Sequence, residues 1–192
     1  GYGNGAGDGQ MVWPVALAFD SKNRVFLTDE HNQRISIYDD SGKFLEKWGT
    51  AGSAEGELNG PAGIALDKED NVYVVDQHNN RVQKFDTNGD FVFEFGSSGD
   101  GDGEFNRPTD VAVDLDGDIY VTDRGNNRVQ MFNSEPRYVQ KFLGEATLSS
   151  VGRDYMMTNA SPNRLRDMAV LEPQKLLRQP KGVVIDEEGR LF

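Results

Sequence analysis

The sequence predicts an all-β fold built of β-propeller blades, and three observations carry that prediction. The chain repeats at an interval of 47 residues through three copies, kept by Pro14, Pro61 and Pro108 and by the closing aromatics Trp48, Phe95 and Phe142. Each copy holds short β-branched and aromatic runs separated by Gly, Asn and Asp, which is the pattern of strands and turns. Units of about 40–50 residues that carry several strands stack radially, because one blade cannot bury both of its faces alone.

The second copy shows the elements in order. Pro61 opens strand one, where a missing N–H costs nothing, and the strand covers about 62–67. Lys68-Glu69-Asp70-Asn71 turns the chain into Val72–Val75, a continuous apolar run suited to burial on both faces. Strand three, Arg81-Val82-Gln83-Lys84-Phe85, alternates polar with apolar; Asp86-Thr87-Asn88-Gly89 then turns into strand four, Phe91–Phe95. The glycine-rich, acidic stretch 96–105 excludes regular structure and fits a crossing to the next blade. The expected organisation is one propeller region, 1–192, with blade one at 2–48, blade two at 49–95 and blade three at 96–144.

The fourth copy comes late and stops early. Pro180 follows Pro108 by 72 residues, 25 more than the repeat, and Phe192 falls where Phe26, Tyr73 and Tyr120 open strand two. Residues 145–178 are therefore an insertion and 179–192 an incomplete fourth blade. Within the insertion, Ser161 as an N-cap and Pro162 at the first helical position predict a short helix over 161–171. It is either a lid or docking element on one face, or a decorated inter-blade loop. Three and a half blades leave a sheet edge and a blade face open, so the chain is expected to belong to a longer protein or to complete a ring as a homodimer.

Composition narrows the function. The net charge is −12, and residues 145–192 carry seven acids and seven bases, so the acidic excess lies in the repeats. An acidic surface forgoes the counterion release on which nucleic-acid affinity depends, which argues against a nucleic-acid partner. No apolar run approaches the ~20 residues of a membrane span. No signal-peptide pattern opens the sequence; with Gly at position 1, an extracytoplasmic or secreted location stays compatible with it. There is no cysteine, which removes thiolate chemistry and Cys-ligated zinc.

Two stretches carry a family resemblance: Tyr-Val-Val-Asp-x-x-Asn-Asn-Arg-Val-Gln-Lys-Phe-Asp from Tyr73 and Tyr-Val-Thr-Asp-x-x-Asn-Asn-Arg-Val-Gln-Met-Phe from Tyr120. They resemble the NHL repeat, and the likeness resumes at Gln179–Asp186. The resemblance implies a propeller, commonly six-bladed, in a family that spans extracytoplasmic sensor domains, peptidyl-hydroxyglycine lyases and RNA-binding regulators. The resemblance to the lyase branch implies zinc-binding histidines directly after the strand-one proline, where this chain has Val15, Ala62, Thr109 and Lys181. That departure argues against amidating-lyase activity in these blades.

The expected function is a non-enzymatic scaffold whose loops bind a protein, a peptide or a small ligand. The expected surface comprises Glu30, His31, Gln77, His78, Arg124 and Asn126, all in the loop after the repeat aspartate. His31 and His78, the only histidines, are also candidate metal ligands for zinc or, with nearby carboxylates, calcium. They are the starting point of the alternative reading, a metal-dependent lyase or hydrolase. The pairs Asp29 with Arg34, Asp76 with Arg81 and Asp123 with Arg128 recur in each blade and are read as structural. Asp114-Leu115-Asp116-Gly117-Asp118 has the spacing of a calcium loop at its start, but Ile119 and Gly125 stand where that loop needs Gly and Glu, so it is read as a turn.

Overall fold

The computed structural model describes residues 3–143, 177–186 and 191. Three four-stranded antiparallel sheets follow one another, each with its strands in chain order. The first holds β1 (Pro14–Phe19), β2 (Val25–Asp29), β3 (Arg34–Tyr38) and β4 (Phe44–Trp48). A short parallel pair, β5 (Thr50–Ala51) and β6 (Glu57–Leu58), crosses to the second sheet. That sheet holds β7 (Pro61–Leu66), β8 (Val72–Asp76), β9 (Arg81–Phe85) and β10 (Phe91–Phe95). The pair β11 (Ser97–Ser98) and β12 (Glu104–Phe105) leads to β13 (Pro108–Val113), β14 (Ile119–Asp123), β15 (Arg128–Phe132) and β16 (Tyr138–Phe142). These are propeller blades of four antiparallel strands.

Strand β7 starts one residue earlier than its sequence boundary, because Pro61 pairs with Asp76 before the ladder shifts register. The same shift follows Pro14 and Pro108; a bulge there accommodates a residue that cannot donate to the ladder. Gly96, at φ 94°, makes the turn out of the second sheet, where a Cβ would run into the Phe105 ring. The helix expected over 161–171 lies outside the described residues.

Sheet-to-sheet packing repeats with the sequence. Between the first and second sheets Ile64 packs with Phe26 and Ile35, and between the second and third Val111 packs with Tyr73 and Val82. Val183 completes the same trio with Tyr120 and Val129. Leu58, Phe105 and Leu177 are likewise equivalent members of the three clusters. The bridge between Ile185 and Leu191 repeats the pairings Leu66 with Val72 and Val113 with Ile119. Each fully buried side chain of this size contributes about 1.5–3 kcal/mol, so one socket, reused, carries much of the inter-sheet stability. Strand β7 lies beside both β1 and β13. On β1 the equivalent apolar side chains face outward: Leu17 is 55% exposed, against 6% for Ile64 and 3% for Val111.

Candidate functional site

The antiparallel order puts the inter-sheet crossings and the β2–β3, β8–β9 and β14–β15 turns at one end of the blades. That end is where the repeated polar residues and the candidate surface meet. Two one-turn 3-10 helices, Gln77–Asn79 and Arg124–Asn126, form the last two turns, each closed by an asparagine at φ 54°, Asn80 and Asn127.

Each turn is tied to the crossing that precedes it. In the third blade the buried Asp123 pairs with Arg128 Nε at 2.7 Å and accepts from the Asn106 N–H and Asn126 Nδ2. Arg128 also donates to the carbonyls of Asp100, Gly101 and Glu104, each at 2.8 Å. Gln130 donates to the Glu104 carbonyl and accepts from Gly103. Asp76, Asn79, Arg81 and Gln83 build the same clamp in the second blade, with the Asp76–Arg81 pair at 2.8 Å. Strand β9 is thus buried on its polar side as well as its apolar one, because Arg81 donates to Asp76, Glu94 and the crossing carbonyls of Ala54 and Glu57, and Gln83 to Glu57 and Asp76.

The first blade departs from this plan. Arg34 donates to the carbonyls of Ala6, Gly7 and Gln10, but among the described residues its Nε has no hydrogen-bond partner. Asp29 is filled instead by the N–H groups of Val12 and Trp13 and by Asn32. Burial alone would raise the Asp29 carboxyl; these hydrogen bonds outweigh it and hold the group below the ordinary aspartate value. Ser36 replaces the glutamine, and its buried hydroxyl has no partner among the described residues. The recurrent Asp–Arg pair is therefore a direct ion pair in two of the three copies.

The candidate binding residues differ in exposure and in what they hold. Asn126 turns its amide inward, to the Gly99 carbonyl and Asp123. Glu30 and Gln77 are half-buried, with Gln77 Nε2 donating to the Pro108 carbonyl at 3.3 Å. His31 and His78 are exposed. The His31 ring meets Trp13 edge-on at 5.4 Å, and His78 Nδ1 faces Asn59 Oδ1 at 3.3 Å. Among the described residues no cluster of three or more His, Asp or Glu side chains has the arrangement of a metal site. The segment Asp114–Asp118 forms the β13–β14 turn, with its backbone closed from Asp114 to Asp118 just as Asp67 closes to Asn71. Burial and the neighbouring charges of Asp114 and Asp116 raise the Asp118 carboxyl.

Arg124 reaches the Gln179 side chain at 3.4 Å and lines, with Arg107, Gly125, Asn127 and Gln179, a cavity of about 160 Å³. Sequence reasoning singled out Arg124 alone from this group. The signal for Arg107 was available: its repeat counterparts are Trp13 and Gly60. At the other end of the blades a cavity of about 250 Å³ lies between the β7–β8 and β13–β14 turns. Its Lys84 is occupied by Asp67 at 2.9 Å and by the Tyr73 ring at 4.8 Å.

The NHL repeat family matches residues 58–85 and 105–132, which hold the Asp, Asn, Arg and Gln residues of the two complete clamps. These two segments are NHL repeats. Protein lin-41 of Caenorhabditis elegans is 37% identical to it over 43 residues, 22% of this chain and 4% of lin-41. Among solved structures, streptogramin B lyase superposes with a TM-score of 0.55 at 15% identity, over 70% of this chain and 42% of the lyase chain. Virginiamycin B lyase from Staphylococcus aureus gives 0.52 at 20% identity, over 67% and 40%. Hydrazine synthase from Kuenenia stuttgartiensis gives 0.62 at 15% identity, over 100% and 44%. The chain thus spans less than half the length of each of these proteins, and at the identities of the solved structures the likeness shows the β-propeller fold alone. Among the described residues no helix is long and apolar enough to cross a membrane.

Proposed function

We propose that this NHL propeller region is a non-enzymatic binding scaffold that presents its clamp-end turns to a protein or peptide. One observation carries the reading: the recurring Asp, Asn and Arg of the clamp are consumed in holding backbone, whereas the two positions after the repeat aspartate change from blade to blade and are half-buried or exposed at the rim. Asp76, Arg81 and Gln83 are buried in the clamp. At the neighbouring positions Glu30, Gln77 and Arg124 replace one another, as do His31, His78 and Gly125. A rigid frame with variable side chains at its edge is the arrangement of a recognition surface.

The test is selection of peptides from a random displayed library on the wild-type chain, followed by binding to a variant with Glu30, His31, Gln77, His78 and Arg124 changed to Ala. The clamp is untouched, so the variant keeps the fold. The selected peptides are expected to lose binding to this variant and to keep it for a Lys22→Ala, Lys68→Ala variant of the opposite end. Equal binding to all three proteins defeats the reading.

The outward strip on β1 supports a second element of the proposal. Leu17 and Phe19 occupy the places of Ile64 and Leu66, which pack against the preceding blade. The strip is proposed to take a further surface of the same kind from a second copy, as one route to a closed ring. Light scattering on a concentration series is then expected to give a mass near twice 21.3 kDa, reverting to the monomer in Leu17→Lys.

A further inference from the structure

We infer that the cavity beside Arg124 is an anion site that takes the carboxylate of a peptide C-terminus, an assignment that rests on reading this rim as a binding face. Two arginines that break the repeat meet there. Arg107 stands where the second blade has Gly60, and Arg124 where it has Gln77. The two lie 17 residues apart in the chain yet line one cavity. Structural residues of a repeat recur in each copy; two cations that occur once and converge do not serve the repeat.

The backbone points the same way. Arg107 sits at φ 51°, where Gly60 sits at φ 70°. A bulky side chain in the left-handed region is disfavoured, and glycine is the natural occupant. Its N–H makes the same hydrogen bond in either case: Gly60 N to Gln33 Oε1 at 2.6 Å, and Arg107 N to Asn80 Oδ1 at 2.8 Å. The arginine side chain adds nothing to that bond, so the blade contact gives no reason for its presence.

The remaining lining supplies donors. Asn127 Oδ1 is taken by the Gln179 N–H at 2.8 Å, and Gln179 Oε1 by Arg124. Both side chains line the cavity beside the two arginines, and among the described residues no carboxylate lines it. Two arginines with no described carboxylate beside them favour an anion. Guanidinium groups match planar two-oxygen groups through paired hydrogen bonds. In the field of a chain with net charge −12, a singly charged carboxylate is repelled less than a phosphate dianion or a polyanion. A cavity of about 160 Å³ has room for a terminal carboxylate and part of the residue that carries it.

The probe is N-acetyl-Gly-Gly with a free carboxylate, titrated into the ¹⁵N-labelled chain and followed through arginine Nε–H and side-chain amide signals. Its C-terminal amide and inorganic phosphate are the comparison arms. The control is Arg107→Gly with Arg124→Gln, which installs the pair found one blade earlier and keeps the backbone hydrogen bond; unchanged thermal unfolding verifies its fold. The free carboxylate is expected to shift Arg107, Arg124, Asn127 and Gln179. The amide is expected to leave them in place, and the double variant to bind about tenfold more weakly or worse. Equal shifts from acid and amide, a response to phosphate alone, no response to any arm, or undiminished binding by the folded double variant overturns the inference. Rim-dependent peptides that bind equally as acids and amides would end the carboxylate assignment while leaving the scaffold reading intact. Failure to select rim-dependent peptides defeats the scaffold reading directly.

Discussion

Arg34 and Arg128 occupy the same place in the repeat but make different sets of contacts, so removing each isolates one interaction. Both donate to three carbonyls of the crossing: Ala6, Gly7 and Gln10 for Arg34, and Asp100, Gly101 and Glu104 for Arg128. Those carbonyls belong to exposed or half-exposed residues in both copies, so their loss costs about the same in each. Only Arg128 is also paired with a buried aspartate, at 2.7 Å with 4% and 0% side-chain exposure. Removing one member of a buried pair costs about 3–5 kcal/mol, because the remaining charge is left uncompensated. Arg34→Ala leaves Asp29 with its donors from Val12, Trp13 and Asn32, and its cost is about 1–2 kcal/mol. The expected gap is about 2 kcal/mol or more, which at a slope of about 2 kcal/mol/M separates the urea midpoints by about 1 M. Urea unfolding followed by far-UV circular dichroism, with slopes compared between variants, reads it. Equal midpoint losses for Arg34→Ala and Arg128→Ala would show that the Asp123 pair adds nothing to the fold.

The first blade can be given the residue it lacks: Ser36→Gln is expected to bridge Gly9 and Gln10 as Gln83 bridges Gly56 and Glu57, raising stability by about 1 kcal/mol in the same assay. Leu17→Lys is expected to change monomer stability by about 0.5 kcal/mol or less, whereas Ile64→Lys, at the equivalent buried site, should prevent cooperative unfolding; similar effects would remove the distinction between the outward and docked faces. Acid should destabilise the chain. For Asp20, Asp29 and Asp67 burial works to raise the carboxyls, but hydrogen bonds and, for Asp20 and Asp67, the cations Arg24 and Lys84 outweigh it and lower them. Their stabilisation is present above the unfolded value of about 3.9 and is lost as pH falls through the lower folded values. Asp110 has the opposite sign: burial raises it against the N–H groups of Val183 and Val111, so its ionised form costs stability that returns as pH falls. Urea midpoints between about pH 6 and pH 2 should therefore fall overall, less steeply in Asp29→Asn and more steeply in Asp110→Asn.

The strands were legible because their signals are local. Val72–Val75 reads as a buried strand from its own residues, and β8 is buried throughout. The role of the polar face of β9 was not legible. Arg81 and Gln83 alternate with Val82 and Phe85 as though they faced water, and only the crossing, 24 to 27 residues earlier, supplies the carbonyls that bury them. Period-two reasoning sorts residues by face; it does not know which face another segment will cover. The absent Asp29–Arg34 contact was hidden for a related reason, since both residues are present and the change that accompanies it is Ser36, two positions away. Arg107 carried a sequence signal in its departure from Gly60, but its convergence with Arg124 and Gln179 required the turn to be placed beside the next strand start.

The delayed fourth copy shows how local these rules are. The sequence places 25 additional residues between Pro108 and Pro180 relative to the earlier interval, yet Leu177, Val183, Ile185 and Leu191 pack on the third blade in the positions of Phe105, Val111, Val113 and Ile119 one interface earlier. The hydrogen bond from Gln179 N to Asn127 is the same length as that from Arg107 N to Asn80, 2.8 Å. Each interface is therefore specified by a socket on one blade and a plug at the start of the next, independently of the chain length that joins them. In repeat proteins stability is approximately a sum of such nearest-neighbour terms. The consequence for function is that a turn can change its exposed side chains, as Glu30, Gln77 and Arg124 do, without disturbing the buried contacts that hold it in place. The socket and the clamp keep the frame constant, and the rim residues between them are free to differ from blade to blade.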